Sequence, residues 1–166
     1  LADLVDSPGG LIWSLGSHEV YHLAATWNGG SLGLLPLPAG QALVRFLLTR
    51  QWIIDVAEAQ AAPERYQDLD WPVWWHDIKR PWLVLPLIEQ DTLRGFVVLA
   101  EPRSPRELNW EDRDLLRTAA RQVAGYVALL DMTDAVLSSR QFDAFNRLSA
   151  YLVHDLKNVS AQLGLV

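Results

Sequence analysis

The sequence predicts an α+β fold: an antiparallel sheet flanked by helices, running into a long coiled-coil helix. Three observations carry that reading. Trp82–Ile88 and Leu93–Ala100 are apolar, β-rich segments joined by Gln90-Asp91-Thr92, the pattern of a hairpin. Leu11–Gly16 and Val20–Trp27 form a second β-rich pair, with a return near Gly16-Ser17. From Asn109 onward the apolar residues recur at helical spacing to the end of the chain.

Between the two hairpins the elements follow from local signals. Asn28-Gly29-Gly30 is a turn, and a loop continues through Pro38. Gln41–Gln51 places Leu43, Val44, Leu47 and Leu48 at helical spacing. Trp52–Val56 suits a short strand. Residues 57–70 are polar and read as irregular, with room for a helical turn. Pro72 fits the first turn of a short helix reaching Ile78. In the second hairpin Gly95 allows a bulge or a close backbone approach. A Pro/Arg loop covers 101–108.

The last helix begins at Asn109, a good N-cap, with Glu111 and Asp112 where the helix dipole favours anions. Its first half carries Leu116, Ala119, Val123, Tyr126, Leu130, Thr133 and Leu137, alternating by three and four as in a coiled coil. That register would continue at Arg140 and Ala144, yet the next strong positions are Phe142 and Phe145. The phase therefore changes across Ser138-Ser139-Arg140-Gln141. Such a shift suits a signalling joint; a kink or loop between two packed helices is the plainer account.

Composition limits the function. The chain has 166 residues, half of them hydrophobic, enough for one core plus an extra element. A net charge of −6 without a basic run argues against nucleic-acid binding. Cysteine is absent, which excludes disulfides, thiolate metal sites and a thioether-linked chromophore. No apolar run reaches about 18 residues, so no membrane span is expected. A signal peptide is lacking too, and both ends read as cuts in a longer protein. His18 and His22 are four apart, but on a strand they would stand about 13 Å apart, too far for one metal. Gly29-Gly30-Ser31-Leu32-Gly33 lacks the Lys-Ser/Thr of a phosphate-binding loop.

The densest chemistry is Leu152-Val153-His154-Asp155-Leu156-Lys157-Asn158. On a helix His154 and Asn158 share a face, off the apolar line of Leu152, Leu156, Val159 and Leu163. An exposed imidazole beside a carboxylate can accept a phosphoryl group. A solvated helix with an incidental histidine is the competing account. The segment resembles the phosphoacceptor motif of sensor histidine kinases: His, an acidic residue, two variable positions, then Asn or Thr. The resemblance implies that His154 is phosphorylated, that Asp155 orients its imidazole, and that Asn158 serves phosphatase chemistry.

The order of a helix, two strands, helices, two strands and a long helix resembles a GAF domain. Pro81-Trp82-Leu83-Val84-Leu85-Pro86-Leu87 and Leu93-Arg94-Gly95-Phe96-Val97-Val98-Leu99 look like its central hairpin. The Trp-rich passage, with Pro102-Arg103-Ser104-Pro105 and Leu108-Asn109-Trp110-Glu111, is similar to sensor kinases of PEP-CTERM/exopolysaccharide systems, the PrsK type. The resemblance implies a sensor domain over 1–108, a signalling coiled-coil helix over 109–141, and over 142–166 the truncated first part of a dimerisation and phosphoacceptor helix. It also implies a homodimer, a response-regulator partner, and a small ligand between sheet and helices. Trp74, Trp75 and Trp82 would line that pocket, unless the tryptophans fill the core or a dimer face.

The fragment itself calls for no cofactor. ATP and Mg would act in the parent kinase, whose ATP-binding domain this chain lacks. The expected location is cytoplasmic, and the parent could be anchored in the inner membrane by segments outside the chain. The competing function is a non-enzymatic ligand-binding or dimerisation module with an incidental His-Asp pair.

Overall fold

The strands β1 (Gly10–Leu15), β2 (Val20–Trp27), β3 (Leu37–Pro38), β4 (Ile54–Asp55), β5 (Pro81–Glu89) and β6 (Thr92–Ala100) build one antiparallel sheet, with continuous apolar runs in β5 and β6 at its centre. In this computed structural model the described residues are Ala2, 6–28, 36–104 and 108–131. Among them the strand order is β3-β2-β1-β6-β5-β4. The two hairpins are joined through the β1–β6 pairing, which runs from Gly10↔Leu99 to Ser14↔Gly95. The chain divides into two compact units, Leu1–Ala128 and Leu129–Val166. Only residues 129–131 of the second are described, as helix, so the architecture below is that of the first.

Both hairpins close on left-handed residues. Gln90 and Asp91 have φ of 46° and 61°, which makes a two-residue turn between the paired Glu89 and Thr92. That twist matches the sheet, as hairpin turns of this type require. In the first hairpin His18 and Glu19 take φ of 61° and 55°. His18 thus lies in the turn rather than on a strand, and the strand-spacing argument against a His18–His22 pair does not apply to it.

The central strands β5 and β6 are buried on both faces of the sheet. On one, Leu11, Trp13, Val84, Phe96 and Val98 meet α1 (Ala42–Arg50) through Leu43, Val44 and Leu47, together with Tyr66, Trp74 and Trp75. On the other, Leu83, Leu85, Leu87, Val97 and Leu99 meet a helix spanning residues 110–128, here α3. The sequence at α1 ends with Gln51 in the left-handed region, whose N–H bonds the Leu47 carbonyl at 3.0 Å. Asp55 then caps α2 (Val56–Ala61), accepting from the N–H groups of Ala57 and Glu58 at 3.0 and 3.1 Å. Two short 3-10 turns follow, Pro63–Tyr66 and Val73–Asp77. The polar stretch 57–70, expected to be largely irregular, thus opens as a capped helix.

The start of α3 is where the sequence places it. Asn109 Oδ1 accepts from the Asp112 N–H at 2.8 Å, and Asp112 Oδ2 accepts from the Asn109 N–H at 3.2 Å. This is a reciprocal capping box with Asp in the third position. The buried stripe differs from the expected coiled-coil seam. Leu116, Ala120, Ala124 and Ala128 are buried, at a constant spacing of four, while Tyr126 is 69% exposed. A helix lying on a sheet follows its own period near 3.6, and alanines let it approach closely; a heptad seam needs a second helix to bend toward. Leu116, at 0% exposure, belongs to the sheet contact and not to a seam facing another helix. The register change at 138–141 and the segment 142–166 lie outside the described residues. Among the described residues no helix is long and apolar enough to cross a membrane.

Candidate functional site

The alternation of β1 turns Leu11, Trp13 and Leu15 to one face, and Trp13 sits near the middle of the sheet beside β6. Two rings stack on its indole. Phe96 stacks on it at 4.9 Å between centroids with an 11° tilt, and Trp74 at 5.2 Å with a 10° tilt. Trp74 comes from the 3-10 turn after Pro72, whose Trp75 N–H to Pro72 carbonyl bond of 2.8 Å fixes the turn. Trp75 stacks instead on Trp71, at 4.0 Å and 20°. Tyr21 completes the group, tilted against Phe96 at 6.1 Å. Its hydroxyl donates to the Leu93 carbonyl at 2.8 Å. Burial, and then the charge of Glu19, push the Tyr21 phenol above its ordinary value, so it stays a neutral donor.

Parallel aromatic stacks bring large apolar surfaces together and leave their edges to choose partners. One edge here is unmatched. Trp13 is fully buried, yet its indole N–H has no hydrogen-bond acceptor among the described residues. An orphaned buried donor costs on the order of 1–3 kcal/mol. An acceptor from outside the described residues, a water or a ligand atom, would satisfy it.

The backbone beside the stack is as tightly fitted. A Cβ on Gly95 would stand 2.1 Å from the Trp13 carbonyl oxygen, so only glycine passes here. The ladder also changes register between Leu87 and Ile88, opposite Gly95 and Leu93. Of the two roles open to Gly95, it has the close approach, and the bulge falls beside it at Arg94.

The three tryptophans expected to share a pocket are not together. Trp74 and Trp75 belong to the cluster with Trp13, whereas Trp82 packs in the cluster of α3 with Leu83 and Leu85. The register shift between Pro81 and Leu83 explains it: a bulge interrupts the alternation, and Trp82 joins the face of Leu83. Trp13 was not singled out from sequence, although the Leu11, Trp13, Leu15 alternation marks it as inward-facing. His154, Asp155 and Asn158 lie outside the described residues, so their geometry plays no part in this site. Among the described residues no three His, Asp or Glu side chains group as a metal site would require.

Solved structures share this architecture. A GAF domain from a phosphoenolpyruvate-protein phosphotransferase of Coxiella burnetii is 22% identical with a TM-score of 0.60, over 81% of this chain and 80% of that one. Residues 122 to 287 of a methyl-accepting chemotaxis protein give 16% identity and a TM-score of 0.60, over 81% and 86%. A GAF domain/HD domain protein from Geobacter sulfurreducens gives 15% and 0.59, over 80% and 88%. No family model and no curated protein matches the chain. At these identities the likeness is one of fold: the described residues form a GAF-like antiparallel sheet with helices.

Proposed function

We propose that this chain is the sensor and dimerisation region of a two-component histidine kinase. A GAF-type module reads a small ligand, and α3 carries the state of the module toward the phosphoacceptor His154. The observation that carries the reading is the succession, in one sequence, of a sensor fold, a capped exit helix and His154-Asp155-x-x-Asn158. The GAF fold occurs in signalling proteins such as the chemotaxis protein above, which supports the sensor half. The fine assignment to the exopolysaccharide-system type rests on the sequence resemblance alone.

In this reading the two faces of the sheet divide the work. The aromatic cluster of Trp13, Trp74 and Phe96 lies on one face, and the alanine stripe of α3 on the other. A ligand atom that accepts from the Trp13 N–H would shift the sheet under α3. A separate ATP-binding domain of the parent kinase, with Mg, delivers the phosphoryl group to His154. Asp155 holds one ring nitrogen so that the other is free to attack. His154 then passes the group to an aspartate of a response regulator, and Asn158 assists the attack of water on that aspartyl phosphate, which releases inorganic phosphate. The whole operates as a homodimer on the cytoplasmic side.

The test is acid-labile, base-stable phosphate on the full-length protein incubated with ATP. His154→Gln abolishes it, Asp155→Asn slows it, and Asn158→Ala mainly impairs dephosphorylation of the regulator. Wild-type labelling of His154→Gln would overturn the kinase assignment and leave a non-enzymatic GAF-type binding or dimerisation module.

A further inference from the structure

A concave site lies where α2 and the turn after it meet the start of α3. It is a cleft of about 190 Å³ with a predominantly polar lining. Arg65, Arg113 and Arg117 face it, with Glu58 as its one carboxylate, and Trp52 and Tyr66 form the aromatic wall. Three guanidinium groups against one carboxylate leave a local excess of two positive charges, in a chain whose net charge is −6.

Glu58 holds the cleft together. It accepts from Arg65, from the Tyr66 hydroxyl at 3.0 Å, and from Arg113 at 3.2 Å. Burial raises its pKa, but Tyr66, Arg65 and Arg113 outweigh that and hold it below the ordinary carboxylate range. Tyr66, for its part, is pushed up to about 12 by burial, then by its bond to Glu58 and the carboxylate charge. At neutral pH the wall is thus a fixed carboxylate and a neutral phenol. Glu58 is committed on both its oxygens. Arg117 is the least committed cation, since its contact with Asp114 is 4.0 Å long and Asp114 is 73% exposed on its side chain. A surface pair of that kind is worth little. Trp52 keeps 38% of its surface exposed at the rim, with Arg50 5.5 Å from its ring centroid.

We propose that this cleft binds a phosphoryl-bearing anion, with Arg117 and Arg113 as its principal donors and Trp52 as a flanking surface. Guanidinium groups match phosphoryl oxygens in charge and in their forked geometry. The site joins α2 to α3 across the Glu58–Arg113 pair, so an anion seated on Arg113 and Arg117 lies at the contact between the exit helix and the sensor body. Such binding depends neither on the histidine-kinase reading nor on any ligand at Trp13.

Isothermal titration calorimetry of the chain with inorganic pyrophosphate, at fixed ionic strength, tests it. One saturable site is expected, with Arg117→Gln weakening binding about tenfold, the scale of one hydrogen bond to a charged group. Arg80→Gln, at an exposed arginine paired with Glu101 and outside the lining of the cleft, leaves that affinity unchanged. Inorganic phosphate and ATP, titrated alongside, separate a simple anion from a nucleotide. The absence of saturable heat with all three, or affinity equal in Arg117→Gln and wild type, overturns the proposal. Binding of hexaglutamate with none of the phosphoryl compounds overturns it as well, in favour of an acidic protein segment.

Discussion

At Gly95 a missing methyl group decides whether two strands can pair. A Cβ there would lie 2.1 Å from the Trp13 carbonyl oxygen, and that oxygen belongs to backbone that cannot turn aside. Gly95→Ala must push β1 from β6 at the centre of the sheet, under the Trp13–Phe96 stack. Overpacking of this kind costs about 3 kcal/mol or more. Urea unfolding should show a midpoint lowered accordingly with an unchanged slope. A midpoint equal to wild type would mean that β1 and β6 do not approach as described. The role of Gly95 was readable, because a glycine inside an apolar strand marks a bulge or a close backbone approach. Trp13 was not, since the partners that make it special lie 61 and 83 residues further on, at Trp74 and Phe96. Trp82 illustrates the opposite error. Proximity in sequence to Trp74 and Trp75 suggested a shared pocket, and one bulge sends it to the other face of the sheet.

Among the elements, strands were the most legible, because alternation and turn residues act locally. β5 and β6 were expected to within a residue or two, and α1 likewise. The helix α2 was less so, although Asp55 followed by Glu58 is a start signal of the kind that also opens α3. The face of α3 was the hardest to read. Its sequence holds two apolar lines, one of alanines at a spacing of four and one of larger residues at three and four. Volume favours the second in any hydrophobicity count, but the sheet accepts the first because alanine leaves the shorter distance. Gly125 stands beside the buried Ala124 on the exposed side, and a Cβ there would meet nothing within 4 Å. Gly125→Ala should therefore stabilise the chain by about 1 kcal/mol, the propensity difference in a helix interior. Thermal unfolding at low protein concentration checks it. A loss of stability instead would indicate that another chain packs closely against Gly125.

For the molecule as a whole, the question is what covers the outer face of α3. Leu115 is 49% exposed and Tyr126 69% exposed. They are eleven residues apart in sequence, about three helical turns, and so share a face. The alanine stripe already satisfies the sheet, which leaves these larger side chains free for a second copy of the chain. A parallel homodimer through this face is the expected arrangement, as in the proposed kinase. Light scattering should give about twice the chain mass. The substitutions that test it follow from the burial pattern. Leu116 is ruled out because it would unfold the sheet contact, and Val123 because it is half-buried beside that contact. Tyr126→Glu and Leu115→Glu alter only the outer face, so they should shift the chain toward monomer while thermal unfolding of the dilute monomer stays within about 0.5 kcal/mol of wild type. A wild-type chain that remains strictly monomeric at high micromolar concentration would remove α3 as the dimer element. The GAF fold and the Trp13 cluster would stand, and the signal from the sheet would have to leave along a single helix.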